Sequence, residues 1–538
     1  MAETKTLVID NFTGRLTRYN DGDINSGYAK YASTFGNDPF SSPGNLTWFE
    51  TPTRIDSGES VITDLIMAAK PRLESGITYV YAIGHTGRLY KIQVNDPTTY
   101  NPNYDNAVLL ATLISNSPTF TRGASINFFG TSEQIYIGHD VGMTRINFDG
   151  TSESFVGVAG SWIATVPRPA IQFAQYLYVG NGNNLAQILA GGTVGSYAVL
   201  TPAFFSGTYT RDLDVSPDGN YLQATVSRIN SPDLTSATQD TNSLSSADSY
   251  TFLWDGVVGG DNSGISTART TYNSYSINSN LSFGDFSYTM GYDLASTAIY
   301  SRNQKIVTLN NSLSPNFQAL FSTGNMLGFA SPEQDASLLK GTLMLYGQYD
   351  SEIPAGLFRF FRQSAASPET NIIQIPYCGI VSNLFYGSSA TGYTGNVVGS
   401  AKVYFSTLET SITPTTDYKL YKFTTVPTGL GTSMAGVYET QTQLFSKKVK
   451  VGQIRIYLEP LVANNAFTFE LIGSNGGVIS GSSKTFTAGT APDTVGNDMC
   501  SYSPQCAPTY AIGVRITNVG SVNNLINKVE IDFTQAGI

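Results

Sequence analysis

Two histidines, His85 and His139, are the side chains of this 538-residue chain best suited to acid–base chemistry near neutral pH. Each directly follows a glycine in one of two similar segments, residues 81–92 and 136–146. A histidine that recurs at one position of a repeat is better explained by a hydrogen bond within the turn than by catalysis. Two histidines cannot form a three-histidine metal site, and no catalytic motif surrounds them. We therefore expect a protein that is not an enzyme.

A second group that could carry chemistry is an alternation of oxygen-bearing side chains near the amino terminus. Asp21, Asp23 and Asn25 occupy every other position, as ligands do in calcium-binding loops. That loop also requires glycine at its sixth position and glutamate at its twelfth, where this chain has Ser26 and Ala32. An Asx-turn accounts for the same residues without a metal. Calcium at these three residues is the one cofactor that the sequence suggests.

Pairs of carboxylates could serve a glycoside hydrolase, which needs two such groups flanking the scissile bond. The candidate aspartates stand mostly in turn contexts, where Asp commonly hydrogen-bonds the backbone. They give no reason to select one pair, so a glycan-degrading enzyme is the third of the functions that we consider. The candidates are Asp212, Asp214, Asp218, Asp255, Asp261, Asp285 and Asp293.

The three cysteines, Cys378, Cys500 and Cys506, are too few for a disulfide framework. Cys500 and Cys506 lie close in sequence, so they either close one small loop or remain free thiols. Two sulfurs without a nearby histidine also make a poor zinc site. The fold must therefore be held together by its hydrophobic core.

The composition predicts large packed cores in an all-β protein. Hydrophobic residues make up 41% of the chain and aromatic residues 12%, whereas charged residues reach only 13%, about half the usual quarter. Ser, Thr, Asn, Gln and 52 glycines fill the polar positions, as in turn-rich sheets with neutral outer faces. A formal charge of −10 argues against specific nucleic-acid binding, which requires clustered Lys and Arg.

Neither an export signal nor membrane insertion is predicted. The first ten residues lack a charged segment followed by an apolar one, and no apolar run reaches the roughly 18 residues that a membrane span needs. Low-charge β-proteins rich in Ser, Thr and Asn are commonly extracellular, so the composition and the missing signal disagree. A virus particle that assembles inside a cell and leaves by lysis would reconcile the two.

Self-similar segments indicate a repeat of strand, glycine-centred turn and strand. Gly84, Gly138 and Gly180 mark three such segments at spacings of 54 and 42 residues, close to the roughly 40–50 residues of a four-stranded propeller blade. Weaker hairpin patterns continue towards residue 423 and give about seven blades. Closing the ring requires a strand from one end of the chain, and the alternation of residues 6–9 suits that role.

From about residue 437 the pattern changes to longer strands with alternating apolar residues, which predicts an antiparallel, jelly-roll-like β-sandwich. We expect an N-terminal arm with the closing strand over residues 1–60, a β-propeller over 61–435 and the sandwich over 436–538. Residues 229–281 are rich in Ser and Asn, and we expect them to include long loops that offer a contact surface.

The opening of the chain resembles that of propeller-type virion proteins of tailed bacteriophages. Those proteins begin with a short Phe-x-Gly-Gly-Leu-like strand and enter the propeller through an Arg-Pro-Gly-like strand. This chain has Phe12-Thr-Gly-Arg-Leu16 and Thr53-Arg-Ile55 at the corresponding places. The resemblance covers roughly the first 60 residues, and the propeller period extends it. It implies a role in a tail hub, a tail nozzle or a head-completion ring.

We therefore expect a structural protein of a bacteriophage virion, at the tail or head–tail junction. It would form a ring-like assembly around the DNA path, in contact with other virion proteins and with copies of itself. An acidic wall with few charges would let DNA pass during ejection, because a basic wall would hold it. The alternative is a host-attachment protein that binds surface glycan, with Trp254, Asp261 and Tyr502 as contact candidates.

Overall fold

A computed structural model of the chain shows strands, turns and loops. No α-helix, and hence no helix that could span a membrane, occurs in the residues that it describes. The all-β class predicted from the sequence is confirmed. The described residues are 3–12, 31–35, 44–48, 53–54, 66–75, 77–84, 86–94, 107–115, 118, 124–200, 209–216, 218–227, 249–257, 270–272, 276–283, 286–292, 296–301, 304–310, 326–330, 342–347, 356–362, 370–375, 380–387, 402–408, 418–424, 436–490, 492–520 and 524–535.

The strands in these residues are rich in β-branched and aromatic side chains, which favour extended backbone. In chain order they are β1 (Thr4–Ile9), β2 (Tyr31–Phe35), β3 (Thr53–Arg54), β4 (Ile66–Glu74), β5 (Ile77–Gly84), β6 (Arg88–Val94), β7 (Ala107–Thr112), β8 (Ser125–Phe129), β9 (Gln134–His139), β10 (Gly142–Ile146), β11 (Ser154–Phe155), β12 (Ala170–Phe173), β13 (Tyr176–Asn181), β14 (Asn184–Ile188), β15 (Val194–Leu200), β16 (Tyr209–Val215), β17 (Leu222–Ser227), β18 (Ser249–Trp254), β19 (Thr270–Tyr272), β20 (Ser276–Phe283), β21 (Phe286–Tyr292), β22 (Ser296–Ser301), β23 (Gln304–Asn310), β24 (Met326–Ala330), β25 (Thr342–Gly347), β26 (Gly356–Arg362), β27 (Thr370–Ile375), β28 (Ile380–Gly387), β29 (Lys402–Leu408), β30 (Tyr418–Thr424), β31 (Gly436–Thr440), β32 (Gln443–Leu458), β33 (Ala466–Ile472), β34 (Lys484–Thr487), β35 (Met499–Tyr502), β36 (Thr509–Asn518) and β37 (Ile526–Gln535).

The chain divides into two compact units. The propeller unit comprises Thr53–Leu357 and Cys378–Phe423, and the sandwich unit comprises Met1–Pro52, Phe358–Tyr377 and Thr424–Ile538. Residues 1–52 of the expected N-terminal arm thus belong to the same unit as the C-terminal strands, whereas residues 53–60 belong to the propeller unit. This division differs from the three consecutive parts expected from the sequence, because pairing between distant strands leaves no pattern in either strand alone.

The described residues of the propeller unit form six four-stranded sheets. Sheets 1 to 5 are antiparallel and consist of consecutive strands: β4–β7, β8–β11, β12–β15, β16–β19 and β20–β23. Sheet 6 has the order β28, β29, β30 and β3. Between sheets 5 and 6 in the chain, β24 pairs with β25.

The first strands of these sheets, together with β24, form a closed ring. They contact one another in succession from β4 through β8, β12, β16, β20 and β24 to β28, and β28 in turn contacts β4. Radial stacking of sheets around a ring is the architecture of a β-propeller. The number of about seven blades stays a prediction, since β24 and β25 do not form a separate four-stranded sheet.

The second strand of a sheet is buried on both faces because neighbouring sheets pack against either side. In β9, Ile135 and Ile137 pack against sheet 1, whereas Tyr136 packs against sheet 3. Successive side chains of a strand point to opposite faces, so one strand contributes to two cores. β13 repeats the arrangement, with Val179 facing sheet 2 and Tyr178 facing sheet 4. The continuous apolar runs of the repeat follow from this packing.

The sequence repeat corresponds to the second and third strands of sheets 1 to 3. Tyr81, Ile137 and Val179 all lie in second strands, namely β5, β9 and β13, and the turn after each leads into the third strand. The predicted placement of the three residues in equivalent strands is confirmed, although Tyr81 faces the following sheet and Ile137 and Val179 face the preceding one. Asp218, which the sequence places in a turn, lies between β16 and β17, where Tyr221 donates its backbone N–H to Ser216 Oγ at 3.0 Å.

A two-residue strand completes sheet 6. β3 pairs antiparallel with β30 through Thr53↔Lys422 and Arg54↔Tyr421. The prediction that residues 6–9 close the propeller is wrong, because they lie in β1, which pairs with β37. Their alternation correctly indicated a strand that needs a partner, but it carries no information about which sheet that strand joins.

The sandwich unit packs two sheets with alternating burial. One layer has the order β1, β37, β32 and β35, and the other contains β2, β31, β36, β33 and β34. The first residues of β32 also pair with β36, which joins the two layers along one side. Along β37, Val529, Ile531 and Phe533 are buried at every second position. Phe469 of one sheet contacts Tyr502 of the other, with ring centres 6.1 Å apart. The predicted antiparallel sandwich is therefore confirmed.

Gly138→Ala is expected to lower the stability of the propeller unit by about 1–3 kcal/mol. An added Cβ would lie 2.6 Å from the carbonyl oxygen of Arg168 and 2.6 Å from Ser125 Oγ, so neighbouring segments would have to separate. Gly191→Ala is the matched control, since nothing lies within 4 Å of its added Cβ. Urea unfolding followed by tryptophan fluorescence measures both variants, and equal midpoints would contradict the expectation.

Candidate functional site

A fully buried arginine, Arg168, lies in the segment that leads from β11 into β12. Its Nη1 donates to the carbonyl oxygen of Gly180 at 3.1 Å and to Oδ1 of Asn181 at 3.0 Å. Its Nη2 donates to the carbonyl oxygen of Ile163. The guanidinium carbon lies 5.2 Å from the ring centre of Trp162. Burial lowers the pKa of Arg168 to about 9, which leaves the side chain positively charged at neutral pH.

The second histidine of the repeat, His139, lies at the end of β9 and is also buried. Its Nε2 is 3.0 Å from Oγ1 of Thr144 on β10, and its ring centre is 6.1 Å from that of Phe155. Burial, and then the positive charge of Arg168, lowers the pKa of His139 to about 3. The imidazole is therefore neutral at pH 7 and shielded from solutes. Its bond to Thr144 spans the β9–β10 turn, as predicted for a turn residue.

Asn181 connects these groups to the loop between sheets 2 and 3. Its Oδ1 also accepts the backbone N–H of Ile163 at 2.9 Å, and its Nδ2 donates to the carbonyl oxygen of Tyr197 at 3.0 Å. Side chains bonded to backbone groups in this way order a loop. We name the group the Arg168 cluster; its members are His139, Trp162, Arg168 and Asn181.

A second charged group joins sheets 1 and 2. Glu74 accepts hydrogen bonds from Lys91 Nζ at 2.7 Å and from the Tyr81 hydroxyl at 2.6 Å. Arg72 donates to Glu74 at 2.7 Å and also reaches Glu133, in the β8–β9 turn, at 2.5 Å. Burial opposes ionisation of Glu74, but these hydrogen bonds outweigh it and hold the pKa of the carboxyl below its usual value. The network therefore stabilises the packing of the two sheets.

The four described aspartates among the hydrolase candidates accept backbone hydrogen bonds, but the turn context predicted from the sequence holds only for Asp218 and Asp255. Asp212 and Asp214 each accept the backbone N–H of the following residue, at 2.9 and 2.8 Å. Asp218 accepts the backbone N–H of Asn220 at 3.2 Å, and Asp255 accepts that of Val257 at 2.9 Å. Asp218 and Asp255 accept from the residue two positions on, as in Asx-turns, whereas Asp212 and Asp214 lie within strand β16. The other three candidates lie outside the described residues.

Two of the predicted glycan contacts are engaged in packing. Trp254 is fully buried in the propeller unit and packs edge-on against Tyr178, with ring centres 5.2 Å apart. Tyr502 donates its hydroxyl to the carbonyl oxygen of Ser482 at 2.6 Å, and its ring centre lies 5.7 Å from that of Phe486. The prediction that Trp254 is an exposed contact residue is therefore wrong, whereas Tyr502 is only partly buried and its contact role stays a prediction.

The other predicted site residues, Asp21, Asp23, Asn25, Asp261 and His85, lie outside the described residues. Calcium binding at the first three thus stays a prediction. In the part of the chain that is described, no three His, Cys, Asp or Glu side chains are grouped as metal ligands would be.

Cys500 and Cys506 are free thiols, which decides between the two alternatives left open by the sequence. Cys500 is buried, and this burial, followed by the charge of Asp493, raises its pKa to about 12. Cys506 is half-buried, and burial raises its pKa as well.

We expect iodoacetamide at pH 8 to modify Cys506 before Cys500, because the thiolate is the reactive form and access limits the reaction. Peptide mass spectrometry over a time course measures both rates, and the same reaction in urea is the control that makes both thiols accessible. Faster modification of Cys500 in the folded protein would contradict this expectation.

Exposed valines lie at one end of the sandwich unit. The loops after β32 and before β35 meet there, where Gly496 donates its backbone N–H to the carbonyl oxygen of Leu461 at 2.7 Å. The loop after β36 joins them through backbone hydrogen bonds to the start of β33. Val462, Val495 and Val519 are 49%, 56% and 53% exposed, and we call these three residues the valine end. Exposed apolar side chains on adjoining loops make this end a candidate for a protein–protein contact.

The sheets and their contacts thus define an all-β protein with a propeller unit and a sandwich unit. No family model and no curated protein matches the chain. Among solved structures, a mitotic checkpoint complex is 11% identical, with a TM-score of 0.40, over 71% of this chain and 95% of that chain. The extracellular domain of a putative hybrid two component system from B. thetaiotaomicron is 8% identical, with a TM-score of 0.42, over 87% of this chain and 60% of that chain.

A GH74 enzyme from Niastella koreensis also matches, with 11% identity and a TM-score of 0.37 over 70% of this chain and 58% of that chain. This chain therefore spans about three fifths of the length of the latter two structures. At these scores the matches carry no argument about activity, ligands or partners. The fold assignment rests on the sheets and the ring that their first strands form.

Proposed function

We propose that this chain is a structural protein of a tailed-bacteriophage particle, located in the tail or at its junction with the head, where it binds neighbouring proteins. The observation that carries the assembly role is the valine end. The three half-exposed valines lie on hydrogen-bonded loops and expose apolar surface to water. Burial of that surface under a protein partner would lower the free energy of the complex. The resemblance of the first 60 residues supports the choice of particle.

The polar networks of the propeller unit fit a rigid structural protein. The Arg168 cluster orders the loop between sheets 2 and 3, and the Glu74 network connects sheets 1 and 2. A protein that transmits force or fixes the positions of its neighbours needs sheets that do not slide past each other. The glycan-binding alternative loses Trp254, one of the two aromatic side chains on which it depended, so the assembly role is the function that we propose.

Sedimentation velocity and electron microscopy of the purified chain test this proposal. We expect a multi-copy assembly, and we expect the protein to migrate with phage particles. Val462→Asp, Val495→Asp and Val519→Asp, introduced together, should abolish the assembly, because buried carboxylates oppose any apolar contact. Val478→Asp is the matched control, since this valine is 41% exposed and follows the opposite end of β33.

Two results would overturn the assembly role. One is a chain that stays monomeric at high concentration and is absent from particles. The other is equal loss of assembly in the triple variant and in the Val478→Asp control, which would trace the effect to general destabilisation of the sandwich unit.

A further inference from the structure

We propose that residues 3–12, which we call the exchange arm, pair with β37 of a second copy of this chain. Exchanged strands of this kind would join neighbouring copies. The proposal rests on the assembly role proposed above and names one of its partners, a second copy. It concerns a different surface from the valine end, and the two can therefore be tested separately.

The arm inserts apolar side chains into the sandwich unit at alternate positions. Leu7 and Ile9 are 3% and 2% exposed, whereas Val8 between them is 36% exposed. Phe12 is fully buried, and its ring packs edge-on against Tyr438 of β31 with ring centres 5.4 Å apart. The sandwich thus provides three apolar positions for an extended segment, which is the pattern of recognition by β-strand addition.

The pairing that holds the arm is with the last strand of the chain. β1 is the end strand of its sheet and pairs with β37 from Thr4↔Thr534 to Ile9↔Val529. Thr6 Oγ1 adds a hydrogen bond to Asp532 at 2.7 Å. Every copy offers the same edge and the same arm, so an arm from a neighbour makes the contacts that the chain's own arm makes.

The length of the chain permits either pairing. Residues 13–30, eighteen in number, separate the arm from β2. A chain of that length spans at most about 60 Å, which exceeds the distance across a small domain. The choice between a chain's own edge and a neighbour's edge then depends on local concentration, which is high where copies are assembled side by side.

A peptide-binding experiment tests whether the edge accepts an arm from another molecule. The chain lacking residues 1–12 is titrated with a fluorescent peptide of residues 3–12. We expect saturable binding at one site per chain, and we expect the Leu7→Thr, Ile9→Thr peptide to bind at least tenfold more weakly. A Val8→Thr peptide is the matched control and should bind like the native peptide, because Val8 faces outward.

Disulfide trapping in the full-length chain tests exchange directly and does not depend on the truncated protein folding. Thr4 and Thr534 are paired residues, so Thr4→Cys is introduced in one tagged chain and Thr534→Cys in a chain with another tag. After mixing and mild oxidation, we expect covalent heterodimers whose fraction rises with protein concentration. Each single variant alone controls for the native cysteines, and adding Leu7→Thr and Ile9→Thr should remove the heterodimers.

Heterodimer formation supports arm exchange. The absence of heterodimers at concentrations where the protein assembles overturns it, even if the peptide binds, since the arm would then remain on its own chain. Absence of peptide binding to a folded truncated chain overturns it as well. An assembly that depends on the valine end without heterodimers leaves the proposed function in place, whereas a monomeric chain contradicts the proposed function itself.

Discussion

Arg168→Ala is expected to lower the free energy of unfolding of the propeller unit by about 3 kcal/mol, the largest effect of a single substitution considered for this protein. The change would remove the Arg168 donor from the carbonyl oxygens of Gly180 and Ile163, whereas Oδ1 of Asn181 would keep the backbone N–H of Ile163. An unsatisfied buried polar group costs about 1–3 kcal/mol, and removal of a desolvated charge offsets part of the sum.

Urea unfolding in a Trp48→Phe background measures the effect. The chain has three tryptophans, and the remaining two, Trp162 and Trp254, both lie in the propeller unit. Arg145→Ala is the matched control: its Nε donates to Ser154 at 2.9 Å, but its side chain is only partly buried, so we expect a loss of about 1 kcal/mol or less. Equal losses for the two arginine variants would contradict the structural role of Arg168.

The stability of the propeller unit is expected to fall as the pH is lowered from 7 to 5, by about 2 kcal/mol through His139 alone. Burial places the pKa of His139 at about 3 in the folded chain, against about 6.5 for an unfolded histidine. Between these values the unfolded state binds a proton that the folded state excludes, so acid favours unfolding. The contribution is complete above the unfolded pKa and is lost progressively down to the folded one.

The difference between the wild-type chain and His139→Gln isolates this effect. Carboxylates also titrate in acid, but they are common to both proteins and cancel in the difference. We expect the wild-type chain to lose about 2 kcal/mol more than His139→Gln between pH 7 and pH 5, in the same tryptophan fluorescence assay. Identical pH profiles for the two proteins would show that His139 is accessible to protons in the folded state.

The repeat and the sandwich could be predicted because the burial of each strand determines the spacing of apolar residues along it. Second strands such as β9 lie between two sheets, so they read as continuous apolar runs that end in a glycine turn. Strands such as β37 bury one face and alternate at Val529, Ile531 and Phe533. Asp218 was also correctly assigned to a turn, because its role depends on neighbours within two residues.

Features that depend on distant partners could not be predicted in the same way. β3 has two residues, too few for any pattern, and its partner β30 lies far along the chain. Arg168 was missed because arginine is usually exposed, and nothing in its sequence neighbourhood shows that backbone carbonyls surround it. Trp254 was misjudged for the opposite reason: polar flanking residues suggested exposure, although its alternation with Phe252 in β18 points to the buried face.

The pairing of β3 with β30 has a consequence for the order of events during translation. Ribosomes add about 5–20 residues per second, so roughly 20–70 seconds pass between synthesis of residue 54 and of residue 422. The interval between synthesis of β1 and of its partner β37 is longer still. Throughout that interval the earliest strands of the nascent chain lack their native partners, and neighbouring ribosomes on the same message carry identical unpaired edges. Co-translational association of sister chains is thus a competing outcome for this topology, and strands β30 and β37, translated later, decide which partner each early strand receives.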